Sequence, residues 1–329
     1  MTTSLSSETS LLIFLIAIFT LATFDIGFAQ KAGQTTTTNQ DVTLYVTVNT
    51  ENRDFVTGLN AGNFKVYDEK KLNTITDFRQ EDEPASVGIL VDTSKSMTQT
   101  GFDKTAYQLA QTGLARFIEL SNPANEYFLT VFGEKQELLL DFSQDNKSVL
   151  QAIEKISAIK TSGRSLVHDA VITALEKLSK SKYTKRVLIV VSDGMDNTSV
   201  QKPKIIKETL RKSNVIFYSI GIYRGAEQPQ DFVLSKVFFG DFAQISGGDF
   251  FYTNWVHENI NERELRAILA MIANEIRGQY TIKFQPESNK SDKKDEWREI
   301  KVKVELPSEV RKVGKVYVRT REGYYLTSN

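Results

Sequence analysis

Ser86-Val87-Gly88-Ile89-Leu90-Val91-Asp92-Thr93-Ser94-Lys95-Ser96 decides the reading of this chain. The apolar run Ser86 to Val91 is short and unbroken and ends in turn-forming polar residues. That pattern describes a buried parallel strand handing its loop to the carboxyl edge of a sheet. In open α/β sheets ligands bind at that edge. In the loop itself Asp92, Ser94 and Ser96 alternate, so one carboxylate and two hydroxyls converge while Thr93 and Lys95 face away. An all-oxygen donor set without Cys or His suits Mg2+, Mn2+ or Ca2+ better than Zn2+.

The D-x-S-x-S run gains weight from two more segments. In Thr161-Ser162-Gly163-Arg164-Ser165-Leu166-Val167-His168-Asp169-Ala170, Ser165 opens a helical pattern; alone, it would read as an N-cap. Arg186-Val187-Leu188-Ile189-Val190-Val191-Ser192-Asp193-Gly194 is a second buried strand ending in an acidic turn. Three loops on one edge then offer Asp92, Ser94, Ser96, Ser165 and Asp193. Around them strands alternate with helices. Helical patterns cover 103–120, 149–159, 165–178, 204–212 and 262–277, and a further helix ends near Gly247-Gly248. Strand patterns cover 126–132, 137–142, 215–222 and 249–252. Such alternation predicts an α/β, Rossmann-like domain with a mostly parallel sheet flanked by helices.

On these three segments the chain resembles the von Willebrand factor A domain and its metal-ion-dependent adhesion site. The resemblance implies that Asp92, Ser94 and Ser96 bind a cation directly, that Ser165 takes a position usually held by Thr, and that Asp193 completes the set, often through water. The upstream stretch Phe55-Val56-Thr57-Gly58-Leu59…Phe64-Lys65-Val66-Tyr67-Asp68 and the downstream Arg321-Glu322-Gly323-Tyr324-Tyr325 are similar to exported bacterial VWFA-related proteins, abundant in acidobacteria. The implied function is an exported adhesion or scaffold module whose bound cation is completed by an Asp or Glu carboxylate of a protein partner. The site is Mg2+-type, with Mn2+ and Ca2+ as alternatives.

Composition agrees with a globular protein: 40% hydrophobic and 25% charged residues. Lys plus Arg and Asp plus Glu are 41 each, so no global field favours nucleic acid or an anionic membrane. The absence of Cys excludes disulfides, thiolate catalysis and Cys-ligated zinc. The predicted organisation is a signal peptide at 1–29, a linker at 30–40, an N-terminal β region at 41–83, the A domain at 84–278 and a C-terminal β region at 279–329. Leu11 to Phe24 supplies the apolar stretch of the signal and Ala29 the cleavage position. Met1 to Ser10 carries Glu8 and no Lys or Arg, which keeps an uncleaved anchor as the alternative. Cleavage places the mature protein in the periplasm, in the medium or at the cell surface, with no membrane span.

The terminal regions show strand patterns at 41–48, 64–67, 72–78, 280–284, 299–306 and 315–319. They form either one small β-sandwich built from both ends or two separate extensions. Asp169 and His168 read as structural, Asp196 and Asn197 as solvated turn residues, and His257 as part of a polar loop. Asn146-Lys147-Ser148, Asn197-Thr198-Ser199 and Asn289-Lys290-Ser291 fit a glycosylation pattern that a bacterial host leaves unused. Lys290 to Lys294 reads as a solvated loop tip. No His-Asp relay stands beside Ser94 or Ser96, no general base lies in the three loops, and no phosphate-binding G-x-x-x-x-G-K-[ST] is present. A metal-dependent hydrolase is therefore the alternative to recognition, and a scaffold with a silent metal site is a third reading.

Overall fold

The computed structural model describes residues 41–98, 105–160, 163–224, 230–255, 258–287, 296–308 and 314–326. The predicted signal peptide and linker, His257, the Asn289 triplet and the Lys290–Lys294 tip lie outside the described residues.

The chain opens with β1 (Val42–Thr50), β2 (Phe64–Asp68), β3 (Lys71–Asn73) and β4 (Ile75–Arg79). It then enters the α/β region through β5 (Ser86–Asp92), α1 (Ala106–Leu120), β6 (Glu126–Phe132), β7 (Gln136–Ser143), α2 (Asn146–Lys155), α3 (Val167–Leu178) and β8 (Arg186–Ser192). It continues through α4 (Pro203–Lys212), β9 (Val215–Arg224), α5 (Gln230–Ser246), β10 (Asp249–Trp255) and α6 (Glu258–Gly278). It closes with β11 (Tyr280–Phe284), β12 (Glu296–Val304), β13 (Val316–Arg319) and β14 (Gly323–Leu326).

The central sheet has six strands in the order β10-β9-β8-β5-β6-β7 and is parallel except for the edge strand β7. Alternation along β5 divides its neighbours between two cores. Val87, Ile89 and Val91 face a core shared with α1 and α6, including Leu109, Leu114, Leu265 and Leu269. Leu90 faces the opposite core with Val171 and Leu175 of α3 and Phe242 of α5. Residue 88 shares that second face by parity, and it is glycine because a Cβ there would meet the Phe128 ring at 2.5 Å. The apolar stripe predicted on the first helix, Ala106, Leu109, Ala110, Leu114, Phe117 and Ile118, is buried throughout.

Strands from both ends of the chain interleave, which settles the choice between one shared β unit and two extensions. One four-stranded sheet has the order β13-β1-β11-β4 and the other β14-β12-β2-β3. Between them lies a third core containing Leu44, Val46, Val48, Phe64, Val66, Tyr280, Ile282 and Phe284. The stretch 72–78, expected to be one strand, is two: β3 pairs with β2 and β4 with β11, in different sheets. Alternation alone could not register the change of sheet, because Leu72 is 57% exposed and contributes to neither core. β14 was not expected as a strand. Its Gly323 is required because a Cβ would meet the Arg298 carbonyl oxygen at 2.3 Å.

The upstream and downstream motifs meet inside this β unit. Asp68 Oδ2 accepts hydrogen bonds from Arg298 Nη1 and from Tyr324 Oη, each at 2.9 Å. Burial pushes the Asp68 carboxyl up, and Tyr324 and Arg298 partly offset the rise. Asp68→Asn keeps the shape but removes the charge that Arg298 faces. It is expected to cost about 1–3 kcal/mol, read as a lower urea midpoint at unchanged slope.

Candidate metal centre

The position of Asp92 follows from strand parity. Residues 88, 90 and 92 of β5 share the face that packs on α3, and β8 runs parallel beside it with Val91 level with Val191. Asp92 therefore lies level with Ser192 on the same face, and Ser192 Oγ donates to Asp92 Oδ2 at 2.6 Å. Ser165, just ahead of α3, donates through Oγ to the same oxygen at 3.2 Å. The Ser94 backbone N–H donates to Asp92 Oδ1 at 2.8 Å, closing the first loop on itself. Ser94 Oγ and Ser96 Oγ are 3.0 Å apart. The loop is pinned from outside by Thr93, whose N–H and hydroxyl both donate to the Phe132 carbonyl of β6.

Asp193 closes the constellation. Its carboxylate hydrogen-bonds to Ser96 and accepts the Met195 N–H at 3.0 Å. Gly194 follows at φ 75°, where a side chain would be strained, and its N–H donates to Ser192 Oγ at 2.8 Å. All five residues named from the sequence are thus brought to one sheet edge. Asp92 is wholly buried, and Ser94, Ser165 and Asp193 nearly so.

Two expectations about neighbouring residues are corrected. Asp196 is not a solvated turn residue, whereas Asn197 is exposed as expected but is also bonded across loops. Asp196 Oδ2 accepts from the His168 N–H at 2.9 Å, at the start of α3, and from Ser199 Oγ at 2.6 Å. Asn197 Oδ1 accepts from the Ser165 N–H at 3.1 Å, and the Asn197 N–H donates to the Ser165 carbonyl at 3.2 Å. These two residues lock the second loop to the third, a tertiary role that a turn-like composition does not announce. The helix expected to open at Ser165 begins at Val167, with Leu166 at the cap position and no side chain capping α3.

Asp169 is structural as expected, accepting from the Val200 and Gln201 N–H groups at 3.1 and 2.8 Å. His168 packs edge-on against Phe238, with Nδ1 3.3 Å from Asp196. Burial pulls its pKa down, against the neighbouring carboxylates.

Burial, and next the repulsion of Asp193, push the Asp92 carboxyl up to about 7 from its ordinary 3.8. Burial also raises Asp193. No Lys or Arg pairs with Asp92 among the described residues, so its partners are hydroxyl and amide donors only. Among the described residues, no three His, Cys, Asp or Glu side chains gather as a self-sufficient metal site. The edge instead supplies two carboxylates and three hydroxyls. That set fits a hard divalent cation whose coordination is finished from outside the chain.

The family profile for the von Willebrand factor type A domain matches residues 87–195, a span that begins in β5 and ends just past Asp193. Residues 87–195 are a von Willebrand factor type A domain. Among solved structures, similarity is found to BatB from Bacteroides thetaiotaomicron, at 16% identity and TM-score 0.44, covering 58% of this chain and all of that one. The PilB minor pilin from Streptococcus sanguinis matches at 12% identity and TM-score 0.46, over 61% of this chain and 64% of the pilin. Proximal thread matrix protein 1 from the mussel byssus, with a zinc-occupied MIDAS motif, matches at 15% identity and TM-score 0.47, over 65% of this chain and 50% of its own. A search of curated proteins finds no match. Among the described residues, no helix is long and apolar enough to cross a membrane.

A pH dependence follows for the A domain. An acid whose pKa is raised by folding penalises the fold above that pKa. For Asp92 the penalty is absent below 3.8 and complete above about 7. A cation requires the ionised form, so its binding competes with protonation below neutrality. The Mg2+-induced rise in melting temperature is expected to be larger at pH 8 than at pH 5.5, measured by calorimetry at fixed Mg2+.

Proposed function

We propose that this protein is an exported, divalent-cation-dependent recognition module. The supporting observation is the wholly buried Asp92 carboxylate, held by hydroxyl and amide donors beside a second carboxylate, at the edge of a von Willebrand factor A sheet. Asp92, Ser94, Ser96, Ser165 and Asp193 would hold Mg2+, with Mn2+ and Ca2+ as substitutes. When bound, the cation supplies a positive centre with room for an outside ligand. An Asp or Glu carboxylate of a protein partner is the matching chemistry, because an incompletely neutralised cation attracts a charged oxygen most strongly. Export and membership among the bacterial VWFA-related proteins belong to the same proposal and rest on the apolar leader and the flanking motifs.

Recognition is preferred to hydrolysis because, among the described residues, the loops offer no free base. Among the described residues His168 is the one imidazole nearby, and it is engaged with Asp196 and packed on Phe238. Ser94 and Ser96 face each other and Asp193, with no imidazole relay.

The test is capture from envelope and secreted fractions on immobilised protein in Mg2+, in chelator, and with Asp92→Asn. A carboxylate-bearing partner retained only by wild type with Mg2+ is expected. Recoveries unaffected by both chelator and substitution would contradict the proposal.

A further inference from the structure

The amino ends of the central strands, opposite the candidate metal centre, border a cavity of about 820 Å3. It lies where the A domain meets the terminal β unit. Arg186 begins β8, Lys212 ends α4, and Arg321 and Tyr325 come from the last turn and strand. A seven-residue strand separates Arg186 from Ser192, so this cavity and Asp92 are about 20 Å apart.

Five of the charged residues lining the cavity are cations and two are carboxylates. The carboxylates do not neutralise the cations evenly. Glu83 pairs with Arg79 at 2.9 Å, and Asp77 lies 3.4 Å from Lys283. Three cations have no carboxylate partner among the described residues. Arg186 donates to Ser181 Oγ at 3.2 Å and to the Ser179 carbonyl at 3.4 Å, both neutral. Lys212 Nζ sits over the Tyr325 ring, 5.9 Å from its centroid.

Arg321 is the most telling. Its guanidinium donates to the Gly323 carbonyl at 2.6 Å, Asn214 Oδ1 at 3.1 Å and the Arg211 carbonyl at 3.0 Å. These three neutral acceptors fix the fork in place and leave two of its five N–H donors over. Burial pulls Arg321 down to about 10, and no carboxylate counters it. Asp41, the second lining carboxylate, is exposed.

We propose that this cavity binds an organic oxyanion, a carboxylate or a phosphate ester, through Arg321, Arg186 and Lys212. Three unneutralised cations in one concave site are mutually repulsive, and an anion relieves that repulsion. A fixed guanidinium suits the paired oxygens of either group. Tyr325, partly exposed, lines the same space and provides ring surface for the ligand's uncharged body. The volume is that of a small-molecule site rather than of a single ion. The inference is independent of the cation site, since none of its residues lies in the three metal loops.

Calorimetric titration of the full chain in EDTA with glucuronate, citrate and inorganic phosphate, with glucose as the neutral control, tests it. Heat is the readout because sulfate-like anions raise melting temperatures without binding. Saturable one-to-one binding of at least one oxyanion, and none of glucose, is expected. The double variant Arg186→Gln, Lys212→Gln changes exposed or half-buried side chains and should melt like wild type while binding at least tenfold more weakly. Arg321→Gln should lose binding altogether where it folds. Preference for phosphate over the carboxylates, or the reverse, identifies which oxyanion the site takes. Absence of saturable heat with all three anions, or equal affinity in wild type and the double variant, would overturn the proposal.

Discussion

Asp92→Asn is expected to abolish the stabilisation that Mg2+ gives, and to leave the cation-free protein at least as stable as wild type at pH 8. The two effects have one origin. In the cation-free protein the Asp92 carboxylate is wholly buried and repelled by Asp193, so its charge opposes folding above about pH 7. The amide removes that charge and still accepts from Ser192 and Ser165 through its oxygen. With cation present the order reverses. On the proposed function, wild type would gain about 2.7 kcal/mol with Mg2+ at 100 times its Kd, and the variant would gain nothing. Melting curves with and without Mg2+ measure both. A variant that keeps the Mg2+ shift would place the cation elsewhere.

Arg319→Met is expected to destabilise the protein by about 3–5 kcal/mol. Glu275, in α6, is 3% exposed, and Arg319 Nη2 lies 2.6 Å from its Oε1. Tyr218 Oη of β9 donates to the same oxygen at 2.6 Å. Arg319 also reaches Asp249 at 2.8 Å, where Arg53 joins from outside. Burial depresses the Arg319 guanidinium, but Glu275 and Asp249 more than restore it, so its pKa is raised. Methionine fills the volume but leaves the buried Glu275 carboxylate with uncharged partners only, the hydroxyls of Tyr218 and Thr47 and the amide of Asn49. Arg319 sits in β13 and Glu275 in α6, so the pair ties the terminal β unit to the helix that leaves the A domain. Urea unfolding measures the loss, and Arg319→Met with Glu275→Leu should recover much of it. A single variant within 1 kcal/mol of wild type would show that the pair does little to hold the two parts together.

What could be read from sequence depended on whether the signal was local. The buried strands β5, β6 and β8 were legible because their residues are apolar on both faces and end in polar turns. The convergence of Asp92, Ser94, Ser96 and Asp193 was legible because the parallel strands β5 and β8 deliver their loops to one edge, while Ser165, ahead of α3, was placed by the resemblance. Asp196 was misread because a turn residue hydrogen-bonded across loops has the composition of a solvated one. The strand expected at 72–78 hid a change of sheet at Thr74, which depends on partners more than 200 residues away in the case of β4 and β11. Glu275 gives no local signal either, since a glutamate on a long amphipathic helix looks like part of its solvated face. The Arg321 cation cluster is assembled from α4, β8 and the turn before β14 and exists only in three dimensions.

The measurement that tests the central claim most directly is a Mn2+ titration of the full chain, following free Mn2+ by electron paramagnetic resonance. The account predicts one bound Mn2+ per chain, displaced by Mg2+ and lost in folded Asp92→Asn. No bound Mn2+ in the folded wild type, or equal binding by the variant, would contradict it.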